Sequence, residues 1–204
     1  MVETISEGLR NVIPDALTST RQAVIVEADV DRTFSAIRTT DMSSSRAVGI
    51  LSALRGLPVR IGNRVRGMPQ EPTLSHATIS DLVGSGYWIV LSDHPPYELV
   101  LGLVMWGDRG RGVGLTHTLF DRPGPGAVKV GWSFTVQPLP GHRSLLVAET
   151  RTAATDAVAS RRFRAYWKLI SPFAALTREL VLDMIAREAA LSRPVDRLPT
   201  RLPA

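Results

Sequence analysis

The chain has 204 residues, 21% of them charged and 44% hydrophobic, an ordinary composition for one globular domain with room for a real core. It has no cysteine, so disulfides, cysteine–zinc sites and thiol catalysis are excluded, in keeping with a cytoplasmic location. The net charge of +5 comes from arginines scattered along the chain, which suits solubility and gives no stripe for nucleic acid.

The N-terminus lacks a basic stretch followed by an apolar run, so no secretory signal is expected. No apolar run approaches the roughly 18 residues that span a bilayer, so no integral membrane association is expected either. Residues 1–20 read as a short amphipathic extension broken by Pro14. Gln22 to Glu27 is β-branched and apolar, a first strand. Asp29 and Asp31 offer N-caps to a helix carrying Val30, Phe34 and Ile37. Asp41 to Ser45 supplies a break and new caps, and Ala47, Ile50, Leu51 and Leu54 make a second short helix stopped by Gly56 and Pro58.

Residues 57–75 read as a long surface loop, and Ile79 to Val83 as one helical turn. Tyr87 to Ser92 and Tyr97 to Trp106 form a hairpin across Asp93-His94-Pro95-Pro96, the second strand apolar on both faces. A glycine-rich loop from Gly107 to Gly114 precedes a strand at Leu115 to Phe120. Val128, Val130, Trp132, Phe134 and Val136 then alternate with smaller or polar residues, a clean period of two. Ser144 to Thr152 is the last strand.

Asp156 stands where an N-cap belongs, ahead of a run rich in Ala, Arg and Leu. Ala159, Phe163, Tyr166, Ile170, Phe173, Thr177, Val181 and Met184 recur in steps of three and four, which predicts one long helix to Ala190. Pro172 should kink it, because proline lacks an N–H and crowds the carbonyl of Lys168. Arg161, Arg162, Arg164, Lys168, Arg178, Asp183 and Arg187 fall mostly off the apolar face. Residues 191–204 read as an extended or disordered tail. The predicted organisation is an N-terminal extension at 1–20, one domain at 21–190 and a tail at 191–204. Its class is α+β, with a curved antiparallel β-sheet, two short helices after the first strand and helices on one face.

This order resembles the START-like helix-grip superfamily, which includes birch-pollen-allergen-like proteins and polyketide aromatase/cyclases. The likeness is carried by Ala28-Asp29-Val30-Asp31-Arg32-Thr33-Phe34, Leu99-Val100-Leu101-Gly102-Leu103, Gly131-Trp132-Ser133-Phe134-Thr135-Val136, and Glu149-Thr150-Arg151 through Thr155-Asp156 to Phe163, Tyr166-Trp167 and Pro172. It is closest to uncharacterised bacterial members. The resemblance implies a helix-grip fold, in which the sheet wraps the long kinked C-terminal helix around a hydrophobic cavity. Such cavities hold lipids, polyketides or aromatic molecules, and some members catalyse cyclisation or dehydration.

Local chemistry adds little to this. His76, His94, His117 and His142 lie far apart in different segments, so no metal is expected, and no other cofactor is indicated. The Gly107–Gly114 loop lacks the GK[ST] and the following helix of a phosphate site. Glu149 and Arg151 share a strand face and suit a cross-strand ion pair. Candidate cavity-lining residues are Trp88, Trp106, His117, Trp132, Phe134, Phe163, Tyr166, Trp167 and Ile170, with no catalytic residue assigned. The leading expectation is a soluble, non-catalytic binding protein for a small hydrophobic ligand. Two alternatives remain open. One is an aromatase/cyclase- or dehydratase-type enzyme, which needs two titratable groups converging in the cavity. The other is an interaction protein whose apolar face buries a partner, a homodimer included.

Overall fold

A computed structural model describes residues 6–51, 53, 77–106 and 114–191. The loop predicted at 57–75, most of the glycine-rich loop and the tail beyond Leu191 lie outside the described residues. Helix α1 (Glu7–Val12) precedes strand β1 (Thr18–Val26), helix α2 (Val30–Thr39), a 3-10 turn (Met42–Ser44) and helix α3, described over residues 46–51 and at 53. Next come α4 (Ile79–Gly84), β2 (Trp88–His94), β3 (Glu98–Trp106), α5 (His117–Asp121), β4 (Ala127–Leu139), β5 (Arg143–Ala154) and α6 (Ala157–Leu191). The five strands form a curved antiparallel sheet in the order β1-β5-β4-β3-β2, and α6 packs against it.

The capping residues do what their types suggest. Asp29 Oδ1 accepts from Arg32 N at 2.9 Å, starting α2. Thr78 and Asp81 make a reciprocal capping box on α4. Asp156 Oδ1 accepts from Ala159 N at 2.8 Å and opens α6, while its Oδ2 accepts from Gly126 N at 2.6 Å. At the far end Arg32 Nη2 donates to the Ala189 carbonyl at 2.9 Å, placing a cation on the negative end of the helix. Helix α6 runs unbroken through Pro172. Pro172 and Lys168 are both exposed, so the carbonyl that proline leaves unpaired lies on the solvent side.

Three readings of the sequence need correction. Leu115 to Phe120 is not a strand. Thr116 Oγ1 accepts from Leu119 N at 3.3 Å and starts the short helix α5, while β3 and β4 pair directly and leave no place for another strand between them. Phe173, placed on the buried face of α6, is 36% exposed, whereas Arg178, placed off that face, is buried and donates Nε to Gln22 Oε1 at 3.2 Å. Nor do the helices keep to one face of the sheet. The face away from α6 is covered by α1 and α5, with Leu9, Ile13 and Phe120 fully buried there. Gly131 and Gly102 make this approach possible, because an added Cβ would stand 2.3 Å from Leu9 Cδ1 at Gly131 and 2.7 Å from the Phe120 ring at Gly102.

Beside the segment that follows α1 lies a buried ion cluster. Glu149, 2% exposed, accepts from Arg21 Nη2 at 3.2 Å and from Ser19 Oγ at 3.3 Å, with Arg151 Nη1 at 3.6 Å. The cross-strand pairing expected of Glu149 is thus present, Arg21 sitting opposite it in the β1–β5 register. Arg151 also donates to the carbonyls of Ile13 and Pro14 at 2.9 and 2.8 Å, tying the segment after α1 to β5. On the same face Lys129 Nζ sits 4.6 Å from the centroid of the Phe120 ring. Burial holds the Lys129 amine below its usual range against the opposing charge of Asp121.

Candidate functional site

Strand alternation decides which side chains face α6. Leu99, Leu101, Phe134, Val136, Leu146 and Ala148 join one core cluster with Val181, Leu182, Ile185 and Ala189 of α6 and with Phe34 and Ile37 of α2. Val128 and Val130 join a second cluster with Ala159 and Phe163, packed against Trp106, Tyr166 and Trp167. Among the described residues the two clusters are separate. Ile170 and Ala174, on the α6 segment between them, are buried yet belong to neither.

One row of paired residues crosses the sheet at the border of the first cluster, which Leu101 and Trp132 join. Thr20 pairs with Thr150, Thr150 with Trp132, and Trp132 with Leu101. Two atoms in this row are buried and have no hydrogen-bond partner, Trp132 Nε1 and Thr20 Oγ1. Buried polar atoms are seldom left so, since each costs about 1–3 kcal/mol unpaired. The neighbouring rows are satisfied. Thr18 and Thr152 hydroxyls lie 2.7 Å apart on one side, and Gln22 receives Arg178 on the other. The Thr20–Thr150 end of the row is therefore polar, while its Trp132–Leu101 end belongs to the first apolar cluster.

The aromatic residues singled out from the sequence fall into two groups. Trp88, Trp132 and Phe134 form a ladder, with ring centroids 5.9 Å apart for the first pair and 4.5 Å for the second. Phe163 is the hub of the other, contacting Trp106 at 6.1 Å, Tyr166 at 5.9 Å and stacking on Trp167 at 5.7 Å. Arg162 closes its outside, 4.4 Å above the Trp106 ring. Ile170 lies between the groups. His117 stands apart from both. It is exposed at the start of α5, and its Nε2 is 2.9 Å from the Val90 carbonyl at the sheet edge. Reading the residues one by one missed Thr20 and Thr150, since a threonine in a strand looks like a simple β-former.

The acid–base inventory is one-sided. On β1, β3, β4 and β5 the face toward α6 holds no Asp, Glu, His or Lys, and Glu149 with Arg151 faces the other way. Among the described residues no three His, Cys, Asp or Glu side chains group as a metal site would need. No described helix is long and apolar enough to cross a membrane. An open cleft of about 650 Å³ does lie beside the start of α6, where Asp15, Leu17, Arg151, Asp156 and Ser160 contribute to its wall.

Asp156 at that cleft is held below the usual carboxylate range, first by the Ala159 amide and then by that of Gly126. A carboxyl with a lowered folded value stabilises the fold fully above its ordinary value of 3.8 and loses that contribution as the pH falls through the folded value. Asp156→Asn keeps a capping oxygen and removes the charge. Urea midpoints should separate the wild type from this variant at neutral pH, and the gap should close as the pH drops below the carboxylate range.

No protein-family model matches the chain, and no curated protein sequence matches it. Several solved structures are similar to it. A conserved protein from Geobacillus kaustophilus aligns over 85% of this chain and 95% of its own, at 15% identity and a TM-score of 0.40. A protein from Arthrobacter aurescens aligns over 98% of both chains at 12% identity and a TM-score of 0.41. The Zhui aromatase/cyclase from Streptomyces sp. R1128 aligns over 84% of this chain and 93% of its own, at 10% identity and a TM-score of 0.36. At these values the likeness transfers neither an activity nor a ligand to this chain.

Proposed function

We propose that the protein binds a small, largely apolar molecule that carries a hydrogen-bond acceptor, seated between the sheet and α6 over the Thr20–Thr150–Trp132 row. The observation that carries this reading is the pair of buried, unpartnered atoms Trp132 Nε1 and Thr20 Oγ1 in a row at the border of the first apolar cluster. The indole N–H can only donate, and the threonine hydroxyl can donate as well. A carbonyl or ether oxygen on an otherwise apolar body answers whichever of the two it is placed over, while Trp88, Phe134, Trp167 and Ile170 offer flat and aliphatic surface. Lipids, polyketides and simple aromatic ketones all meet that description. The absence of carboxylates and histidines from the faces of β1, β3, β4 and β5 toward α6 favours binding over acid–base catalysis there.

Titration with matched probes tests the reading. A naphthyl ketone should bind more tightly than naphthalene by about 2- to 10-fold, the worth of one net hydrogen bond. Trp132→Phe removes the donor and should erase the difference while leaving naphthalene binding nearly unchanged. Native mass spectrometry of protein purified from its host should show a co-purifying apolar species. Equal affinities in the wild type, or no binding of either probe, would rule the reading out.

A further inference from the structure

The outward face of α6 is built for a partner. Val158, Leu169, Phe173 and Leu176 are 62%, 61%, 36% and 45% exposed. With the exposed Ala165 and Pro172 they fall on one side of the helix at steps of three, four and seven, opposite the buried Phe163, Ile170 and Ala174. From Ala165 to Leu176 this side of the helix is a run of apolar side chains facing solvent, set off from Val158 by Arg162.

The charges beside the strip identify what docks. Arg161, Arg164 and Lys168 are exposed and follow one another at steps of three and four on the N-terminal half. Glu179 and Asp183 are exposed and four apart on the C-terminal half, which also carries the exposed Arg187 and Glu188 and is acidic on balance. Like charges at these spacings repel within a helix, so neither row helps α6 on its own. Each row is answered by the other when two α6 helices lie antiparallel. A two-fold axis between Pro172 and Phe173 sets Leu169 of one copy against Leu176 of its mate, since both stand equally far from it. The same axis brings the basic half of each helix beside the acidic half of the other, twice over. An anionic membrane would attract the basic half but repel Glu179 and Asp183, and an acidic peptide would leave those two unanswered.

We infer that the protein self-associates through α6 as an antiparallel, two-fold symmetric dimer, with the apolar strip at the centre and complementary charges at both ends. A single helix pair is at the small end of specific interfaces, so the dimer forms in a concentration-dependent way. Its outer position leaves the ligand row on the inner side of the helix untouched.

Sedimentation velocity of the full chain over a wide concentration range tests this. The wild type should pass from monomer to dimer, and added salt should weaken the association. Leu169→Glu should give a monomer. Reversing the basic half (R161E with K168E) or the acidic half (E179K with D183K) should weaken self-association by more than about tenfold. An equimolar mixture of those two variants should dimerise again, because each reversed half then meets reversed or native charges of opposite sign on the other variant. Far-UV circular dichroism checks that each variant is folded, which these exposed positions permit. A wild type that stays monomeric throughout, or reversed variants that fail to recover on mixing, would overturn the proposal. So would vesicles containing phosphatidylserine capturing the wild type and sparing the Leu169→Glu protein.

Discussion

Replacing Phe163 by alanine should destabilise the protein by about 3–5 kcal/mol. The ring is 1% exposed and touches three other aromatic rings, so its loss leaves a hole that Trp106, Tyr166 and Trp167 cannot all collapse into. Its neighbour Arg164 is exposed, and Arg164→Ala should shift stability by less than about 0.5 kcal/mol. Urea denaturation of both variants measures the contrast, and an apolar dye titration beside it reports on the proposed ligand site. If Arg164→Ala were the more damaging, the buried phase of α6 would be wrong around Phe163.

Glu149→Ala should cost about 3 kcal/mol, the low end for breaking a buried ion pair by removing one partner. The low end applies because Arg21 is 33% exposed and can recover water, whereas Arg151 at 13% cannot do so fully. Arg21→Ala should cost only about 0.2–1 kcal/mol, since Arg151 and Ser19 still serve the carboxylate. The acid substitution should also loosen α1, because Arg151 holds the carbonyls of Ile13 and Pro14. Faster amide hydrogen exchange over α1 in Glu149→Ala, with α6 unchanged, would show the coupling. Equal destabilisation by the two variants would mean that Glu149 depends on Arg21 alone and that Arg151 and Ser19 do not take its place.

Much of the architecture was legible in local chemistry. Asp156 and Asp29 announce their helices, and the alternation from Val128 to Val136 announces β4 and the face it buries. What the sequence hid depends on distant partners. Thr116-His117-Thr118 reads as strand by residue type, yet Phe120 is fully buried against a sheet face whose neighbours come from β2 and β3. Arg178 is buried because Gln22 waits for it across the molecule. Phe173 looked buried because the middle of α6 is apolar on two sides, and period alone cannot say which side meets the sheet. The aromatic half of the candidate site could be picked from the sequence. Its polar half could not, because Thr20 and Thr150 become a site only through the β1–β5–β4 register.

That register has a consequence for how the chain is made. Among the described residues strand β1 finds its only sheet neighbour in β5, so the first strand to leave the ribosome waits for the last. The hairpin β2–β3 and then β4 can pair as they emerge, since each meets a strand already present. Ile25 and its neighbours must meanwhile stay unpaired while residues 27–142 are synthesised, roughly 6–24 s at about 5–20 residues per second. The basic Arg21 within β1, exposed on its outer face, is the kind of charge that keeps a waiting strand from pairing with another chain. A nascent chain halted before Arg143 should therefore be held by chaperones, and one extended past Ala154 should be released.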